Sequence, residues 1–349
     1  MMTPAMESTI QALLESGKGI LAADESFPTI GKRFKALNIS STEENRGAYR
    51  EMLFTTPGLS DFISGVILFD ETVRQRMAHG VPVAMPVALA KRGIIPGIKV
   101  DKGAVSLANH PKEKITQGLD GLRERLIEYR ELGARFTKWR AVIKIGEHLP
   151  SRACVNANAT VLALFAALSQ EAELVPIVEP EVLMDGSHDL ARCEEVTANV
   201  LECVFAALFD DGVALEKMLL KTGMILSGAD CPQQAGVEEL AEATLRCFTR
   251  TVPAAVPGIV FLSGGQSAEA ATSRLNTICR SSGVPWKLSF SFGRALQSPA
   301  LELWKGSEAN VTEAQAALHH RAQCNGLAVQ GKYSVETENR KIRYENNSL

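Results

Sequence analysis

Leu174-Val175-Pro176-Ile177-Val178-Glu179-Pro180-Glu181 is an apolar run of strand length that ends in two carboxylates two residues apart. Successive side chains on a strand point to opposite faces, so Ile177, Glu179 and Glu181 share one side. The prolines suit a parallel sheet only where a ladder hydrogen bond is not needed. An apolar strand that finishes in acid is costly to bury unless cations face it. The rest of the chain must then supply cations opposite Glu179 and Glu181.

Runs of the same kind recur along the chain: 19–24, 63–69, 96–100, 135–143, 174–178, 218–221, 258–262 and 288–292. They are spaced by about 30 to 45 residues, the size of a strand plus a crossover helix. Between them lie stretches of helical period. In 118–133 the apolar residues Leu119, Leu122, Leu126, Tyr129 and Leu132 fall three and four apart, with charges between. Residues 155–171, 191–209, 266–282 and 312–328 read the same way. Alternating strand and helix predicts a parallel sheet. Eight such strands fit a closed (β/α)8 TIM barrel better than an open doubly wound sheet, and no strand is followed by a nucleotide-binding glycine fingerprint. Residues 6–17 read as an extra helix before the first strand, and the polar tail 331–349 as a flexible one. No low-complexity linker divides the chain, so a single barrel domain over 1–349 is expected.

Composition excludes several function classes. The 349 residues are 46% hydrophobic and 22% charged with a net charge of -3, which gives no general attraction to nucleic acid or acidic membranes. Seven cysteines, an odd number without a CxxC pair, predict reduced thiols in a cytoplasmic setting. The start of the chain lacks the basic-then-apolar pattern of a secretory signal, and no run has the length of a membrane span.

In barrel enzymes the reactive groups stand at the C-terminal ends of the strands. Those positions hold Asp24, Lys99 with Asp101, Lys138 with Arg140, Glu179 with Glu181, Lys221, Ser263 and Arg294. One charge at a strand end is ordinarily a solvated loop residue. Charge recurring strand after strand argues otherwise, and Lys138 and Arg140 interrupt an apolar run. Closely set lysines and carboxylates point to Schiff-base chemistry. A lysine attacks a carbonyl only as the neutral amine, which an apolar pocket or a neighbouring cation favours. A carboxylic acid must then protonate the departing hydroxyl. Lys99, Lys138 and Lys221 are the candidates, and Lys221 has the most apolar approach through Met218, Leu219 and Leu220. Phosphate is the second theme. Ser263, Gly264 and Gly265 end the seventh run, and Gly293 with Arg294 the eighth, where barrels commonly bind a phosphate group. Lys99 and the Asp24–Ser26 turn offer a place for another anion.

At these residues the chain resembles the class I fructose-1,6-bisphosphate aldolases, plant and bacterial members more than the animal muscle enzyme. The matching stretches are GKGILAADES (17–26), PGIKVDKG (96–103), QGLDGL (117–122), ARFTKWR (134–140), VPIVEPE (175–181), LLK (219–221), VPGIVFLSGGQS (256–267) and SFSFGRALQ (289–297). The resemblance implies reversible cleavage of fructose 1,6-bisphosphate to dihydroxyacetone phosphate and glyceraldehyde 3-phosphate, in glycolysis and gluconeogenesis. Lys221 would form the Schiff base, and Glu179 would move protons in carbinolamine dehydration. Asp24 would take the C4 hydroxyl proton. Lys138 and Arg140 would hold the sugar hydroxyls and the carbinolamine, with Glu181 supporting Glu179 and Lys138. Ser263, Gly264, Gly265, Gly293 and Arg294 would bind the C1 phosphate, and Ser26 and Lys99 the C6 phosphate, with Arg33 and Arg46 near the phosphates. The family also implies a homotetramer and no cofactor.

No metal is expected: the six histidines are 79, 110, 148, 188, 319 and 320, and the adjacent pair does not converge on one ion. The chain departs from the family in two places. It ends in Leu349 rather than tyrosine, leaving Tyr344 as the nearest tyrosine, and Phe27-Pro28-Thr29 replace small polar residues after Ser26. The second departure leaves fructose 1-phosphate and sedoheptulose 1,7-bisphosphate as alternative substrates. A non-catalytic sugar-phosphate binder is the alternative of another class, and it has no need of a nucleophilic lysine.

Overall fold

The computed structural model describes residues 4–78, 82–281 and 283–339. Eight parallel strands close into a barrel in the order β1-β10-β9-β8-β7-β6-β3-β2. They are β1 (Gly19–Ala23), β2 (Ile63–Leu68), β3 (Ile95–Lys99), β6 (Phe136–Ile143), β7 (Val175–Val182), β8 (Leu219–Thr222), β9 (Gly258–Phe261) and β10 (Lys287–Phe292). Each expected apolar run supplies one. The remaining two strands, β4 (Ala104–Ser106) and β5 (Lys114–Thr116), form a small antiparallel hairpin that the sequence reading missed. They are only three residues each, too short to show an apolar period.

Strand β7 runs further than its apolar stretch, through Val182, because β6 continues beside it in unbroken register from Phe136↔Val175 to Ile143↔Val182. Glu179 and Glu181 therefore lie within the strand, not just beyond it. The strand pairs with β8 only at Ile177 and Val178, so Pro176 and Pro180 both fall outside that stretch.

Alternation sorts the side chains. Ile20, Ala22, Ile67, Phe136, Val175, Ile177, Leu219 and Val260 form one apolar cluster inside the barrel with Met6, Ile10, Leu13 and Leu14. The extra N-terminal helix, Pro4–Leu13, thus plugs the barrel floor. Two glycines make room for it: a Cβ on Gly65 would lie 2.6 Å from Leu13 and one on Gly258 2.5 Å from Leu14. One layer up, Phe136 fills the space beside Gly97, where a Cβ would come within 2.3 Å of the ring. The lower barrel is a packed core. The inward positions above it are the polar ones.

The outward positions, with the surrounding helices, make the second and larger core. Helices Arg152–Glu171, Leu190–Asp210 and Ala268–Arg280 begin at Ser151, Asp189 and Ser267, whose side chains accept from the backbone N–H three residues on. Arg152–Glu171 has the length and hydropathy to cross a membrane, but here it packs along β6, β7 and the next helix. Phe27–Ala36 and Glu43–Phe54, between β1 and β2, were not anticipated. The first is mostly solvent-facing, burying only Ile30 and Phe34, and Pro28 sits in its first turn, where its missing N–H costs nothing. From Gly331 to residue 339, part of the expected tail, a short helix Val335–Glu338 is pinned where Glu338 accepts from Arg321 and Tyr333. Tyr344 and the terminal Leu349 lie outside the described residues.

Candidate active site

The strand period of two, continued upward from the apolar cluster, places one side chain per layer in the mouth. Ala22 leads to Asp24, Phe136 to Lys138 and Arg140, Ile177 to Glu179 and Glu181, and Leu219 to Lys221. Lys99 ends β3, paired in register with Lys138. These groups form a chain of opposite charges across the barrel. Lys138 Nζ stands 2.5 Å from Asp24 Oδ2 and 3.3 Å from Glu179 Oε2, and Lys221 Nζ stands 3.2 Å from Glu179 Oε1. Arg140 pairs with Glu181, and Lys99 lies 2.6 Å from Asp101. Four carboxylates thus face four cations, which resolves the cost of ending an apolar strand in acid.

Lys138, Glu179, Glu181 and Lys221 are all buried. Burial alone would raise the pKa of Asp24 and Glu179, yet both sit below the ordinary carboxylate range because Lys138 and Lys221 favour their anions. Burial would likewise lower Lys138, but Asp24, Glu179 and Asp101 hold its ammonium above the usual lysine value. Glu181 and Glu179 do the same for the Arg140 guanidinium. Glu179 is the shared member of this chain, and its Oε2 receives no well-directed hydrogen bond from the protein. A buried carboxylate with an open lone pair, within reach of two lysine amines, is placed to exchange a proton with a group bound beside them.

The other end of the mouth has the opposite character. Ser263 is buried, and Gly264 and Gly265 adopt φ of +58° and +103°, a region that excludes most side chains. A Cβ on Gly265 would sit 3.3 Å from the Arg294 guanidinium. Arg294 opens the helix Arg294–Trp304 directly after Gly293 and makes no hydrogen bond or ion pair among the described residues. Burial and the nearby Arg33 push its pKa below the usual arginine value. An exposed guanidinium without an acid partner, a bend of glycines and a helix N-terminus together leave positive charge in want of an anion.

The remaining expected contacts are less free. Lys99 is held by the side chain and carbonyl of Asp101. Ser26, at the start of the helix Phe27–Ala36, shares a hydrogen bond with Thr29 Oγ1 at 3.2 Å. Arg46 donates to both oxygens of Glu71 and to the Ser41 carbonyl, with its guanidinium 4.8 Å from the centre of the Phe27 ring. Arg33 pairs with Glu25 at 2.6 Å.

That pair belongs to a group of residues the sequence reading overlooked. Glu25 also accepts from Arg50 at 2.5 Å and from Gln297 Nε2 at 2.9 Å. Gln297 further donates to the Ala22 carbonyl, and its Oε1 accepts from Tyr49 at 3.0 Å. Gln297 thereby ties the end of β1 to the helix that carries Arg294. Glu25 and Gln297 could have been suspected from their places in the motif stretches; nothing in the sequence singles out Arg50. Elsewhere, His320, Cys324 and Glu338 place potential metal ligands within 4.8 Å of one another, a convergence that the spacing of histidines did not reveal. Both Glu338 oxygens there are already engaged by Arg321 and Tyr333.

Residues 5–348 match the family model "Glycolytic: Fructose-bisphosphate aldolase class-I". The chain is 56% identical over 329 residues to the "Probable fructose-bisphosphate aldolase class 1" of Xanthomonas campestris pv. campestris, covering 94% of this chain and 98% of the relative. It is 50% identical to the fructose-bisphosphate aldolase of Dictyostelium discoideum, over 94% of this chain and 92% of that one. Among solved structures it resembles the aldolase of Plasmodium falciparum, itself in complex with TRAP and a small-molecule inhibitor. The two share a TM-score of 0.92 and 48% identity over 95% of each chain.

Proposed function

The chain belongs to the class I fructose-bisphosphate aldolase family, and from that premise we propose how its residues divide the work of cleaving fructose 1,6-bisphosphate to dihydroxyacetone phosphate and glyceraldehyde 3-phosphate. The observation that carries the proposal is Glu179, buried and unsaturated between Lys221 and Lys138.

Glu179 is an anion in the resting site and takes a proton from the Lys221 ammonium. The neutral amine then attacks the C2 carbonyl of the open-chain sugar, forming a carbinolamine. Glu179 returns its proton to the C2 hydroxyl, which leaves as water, and an iminium remains. Asp24, held as an anion by Lys138, removes the proton from the C4 hydroxyl. The C3–C4 bond breaks, glyceraldehyde 3-phosphate forms, and the electron pair moves into the iminium to give an enamine. A proton delivered to C3 by Glu179, Tyr344 or water turns the enamine back into an iminium, and hydrolysis releases dihydroxyacetone phosphate and restores Lys221. Lys138 and Arg140 hold the sugar hydroxyls, and Glu181 offsets the charge of Arg140. The C1 phosphate takes the place of the missing anion at Ser263, Gly264, Gly265, Gly293 and Arg294. The C6 phosphate lies toward Ser26 and Lys99, with Arg33 and Arg46 outermost. No step needs a metal or cofactor. The setting we propose is cytoplasmic glycolysis and gluconeogenesis, in a homotetramer whose mass light scattering would report.

The test is covalent trapping. With dihydroxyacetone phosphate and borohydride, in the presence of chelator, a reduced adduct is expected on Lys221. An adduct on Lys138 instead would overturn the assignment of roles, and no adduct would overturn the Schiff base itself.

A further inference from the structure

The loop that bends at Gly264 and Gly265 is supported from behind by a second guanidinium. Arg274, on the helix Ala268–Arg280, donates through Nη1 to Gln266 Oε1 at 2.8 Å, and the Gln266 N–H closes a turn onto the Ser263 carbonyl at 3.0 Å. No carboxylate among the described residues answers this arginine. Burial is the sole influence on its pKa and lowers it, and it forms no ion pair among the described residues. Arg274 is only partly buried, whereas the fully buried cations sit against acids, as Arg50 does against Glu25 and Lys138 against Asp24.

Arg274 faces a cavity of about 40 Å3 lined also by Ser227, Gln234, Met184, Leu226 and Leu240. Ser227 is only 5% exposed, and its hydroxyl has no hydrogen-bond partner among the described residues. Gln234 turns its amide N–H groups away, to the carbonyls of Gly228 and Cys231. The free donors are thus a guanidinium and one hydroxyl, set beside the apolar side chains of Met184, Leu226, Ala235 and Leu240. The space exceeds the ~10–15 Å3 that one water needs, but it is small for a phosphate ester. Met184 links this cavity to the mouth: its sulfur lies 3.5 Å from where a Gly265 Cβ would be.

We propose that Arg274 and Ser227 form a binding site for a small, weakly hydrated monovalent anion of the chloride class, behind the Ser263–Gly265 loop. An ion there supplies the missing counter-charge, satisfies the Ser227 hydroxyl and fixes Arg274 against Gln266. The site stands independently of the catalytic roles assigned above, since its measurements do not involve turnover. Binding to the folded state alone stabilises it.

The full chain would be melted in sodium chloride and sodium bromide against sodium gluconate at equal ionic strength, and crystals grown in bromide examined by anomalous scattering. A halide-specific rise in Tm is expected, with a bromide peak in the cavity within hydrogen-bond reach of Arg274. The rise should vanish in R274Q and shrink in S227A, the second variant deciding if the first does not fold. Equal Tm in halide and gluconate would overturn the proposal, as would a gain that survives in the variants. A bromide peak without a halide-specific gain would mark an adventitious ion only and count equally against it.

Discussion

Asp24 and Glu25 are neighbours in sequence and belong to two different charge networks. The turn of one residue on β1 sends Asp24 into the barrel mouth and Glu25 outward, beneath the helices Phe27–Ala36 and Glu43–Phe54. Glu25 is buried and Asp24 partly so, each against cations that hold its pKa below the ordinary range. The networks differ in how completely they are closed. Glu25 accepts from Arg33, Arg50 and Gln297, and Gln297 in turn uses its amide on Ala22, Tyr49 and Arg50. In the mouth, one carboxylate, Glu179, serves two lysines and still has an oxygen without a proper hydrogen bond. A closed network holds a shape, whereas an open one can pass a proton. Partial satisfaction of buried polar groups is the sign of work beyond stability.

The largest effect that can break this contrast is at Lys221. Lys221→Met should abolish cleavage to the limit of a coupled assay and abolish the borohydride adduct. The melting temperature should stay near that of the native chain, because Glu179 keeps Lys138 as partner. A variant that lost activity by unfolding would refute the reading of the mouth as an open network. Glu179→Gln should follow, with kcat lower by roughly 10^2- to 10^4-fold, the range for a lost general acid and base.

Glu25→Gln tests the closed network. Breaking a buried ion pair on one side costs about 3–5 kcal/mol, and Arg50 would be left buried with its charge unmet. The expected outcome is a large fall in Tm together with retained trapping of dihydroxyacetone phosphate on Lys221 in the fraction that folds. Loss of trapping at unchanged Tm would reverse the roles of the two networks. Acid titration sharpens the same point. Because the folded pKa values of Asp24, Glu179 and Glu25 are depressed, their stabilisation is complete above the unfolded values near ~4 and is lost as pH falls through the folded ones. Glu25→Gln should therefore flatten the acid limb of the unfolding curve between pH ~4 and lower values, as followed by tryptophan fluorescence.

The two networks also differ in how far sequence alone reveals them. The mouth is legible because strand period converts spacing into facing: Lys138 and Arg140, or Glu179 and Glu181, must share a side, and each recurs at a strand's upper end. The eight apolar runs disclose the barrel for the same reason. The role of each lysine is not legible that way, since Lys99, Lys138 and Lys221 differ only in their approach residues; the family resemblance separates them. The closed network is almost silent. Arg50 and Tyr49 lie on a helix whose pattern is mixed, and their partners Glu25 and Gln297 are 25 and 248 residues away. Tertiary hydrogen bonds between helices leave no period to read. The hairpin β4–β5 escaped because strands of three residues are too short to show a period, and the true length of β7 because strand pairing with β6 outweighed the local arrival of prolines and acids.

The smallest expected effect concerns the arginines at the edge of the mouth. Arg33 and Arg46 both carry carboxylate partners, but their positions differ. Arg33 is close enough to Arg294 to depress its pKa, so it contributes to the positive field that meets a phosphate. Arg46 spends its donors on Glu71 and Ser41 and lies over the half-exposed Phe27. To bind substrate it would have to give up that pair, and the exchange of one charge-assisted contact for another yields little net energy. Arg46→Met should therefore raise KM for fructose 1,6-bisphosphate by less than about fivefold, in line with the ~0.2–1 kcal/mol of a partly exposed ion pair. Arg33→Met should raise it more and leave kcat largely in place. A larger KM effect from Arg46 than from Arg33, measured side by side, would show that substrate opens the Glu71 pair and that the phosphate end reaches as far as Phe27.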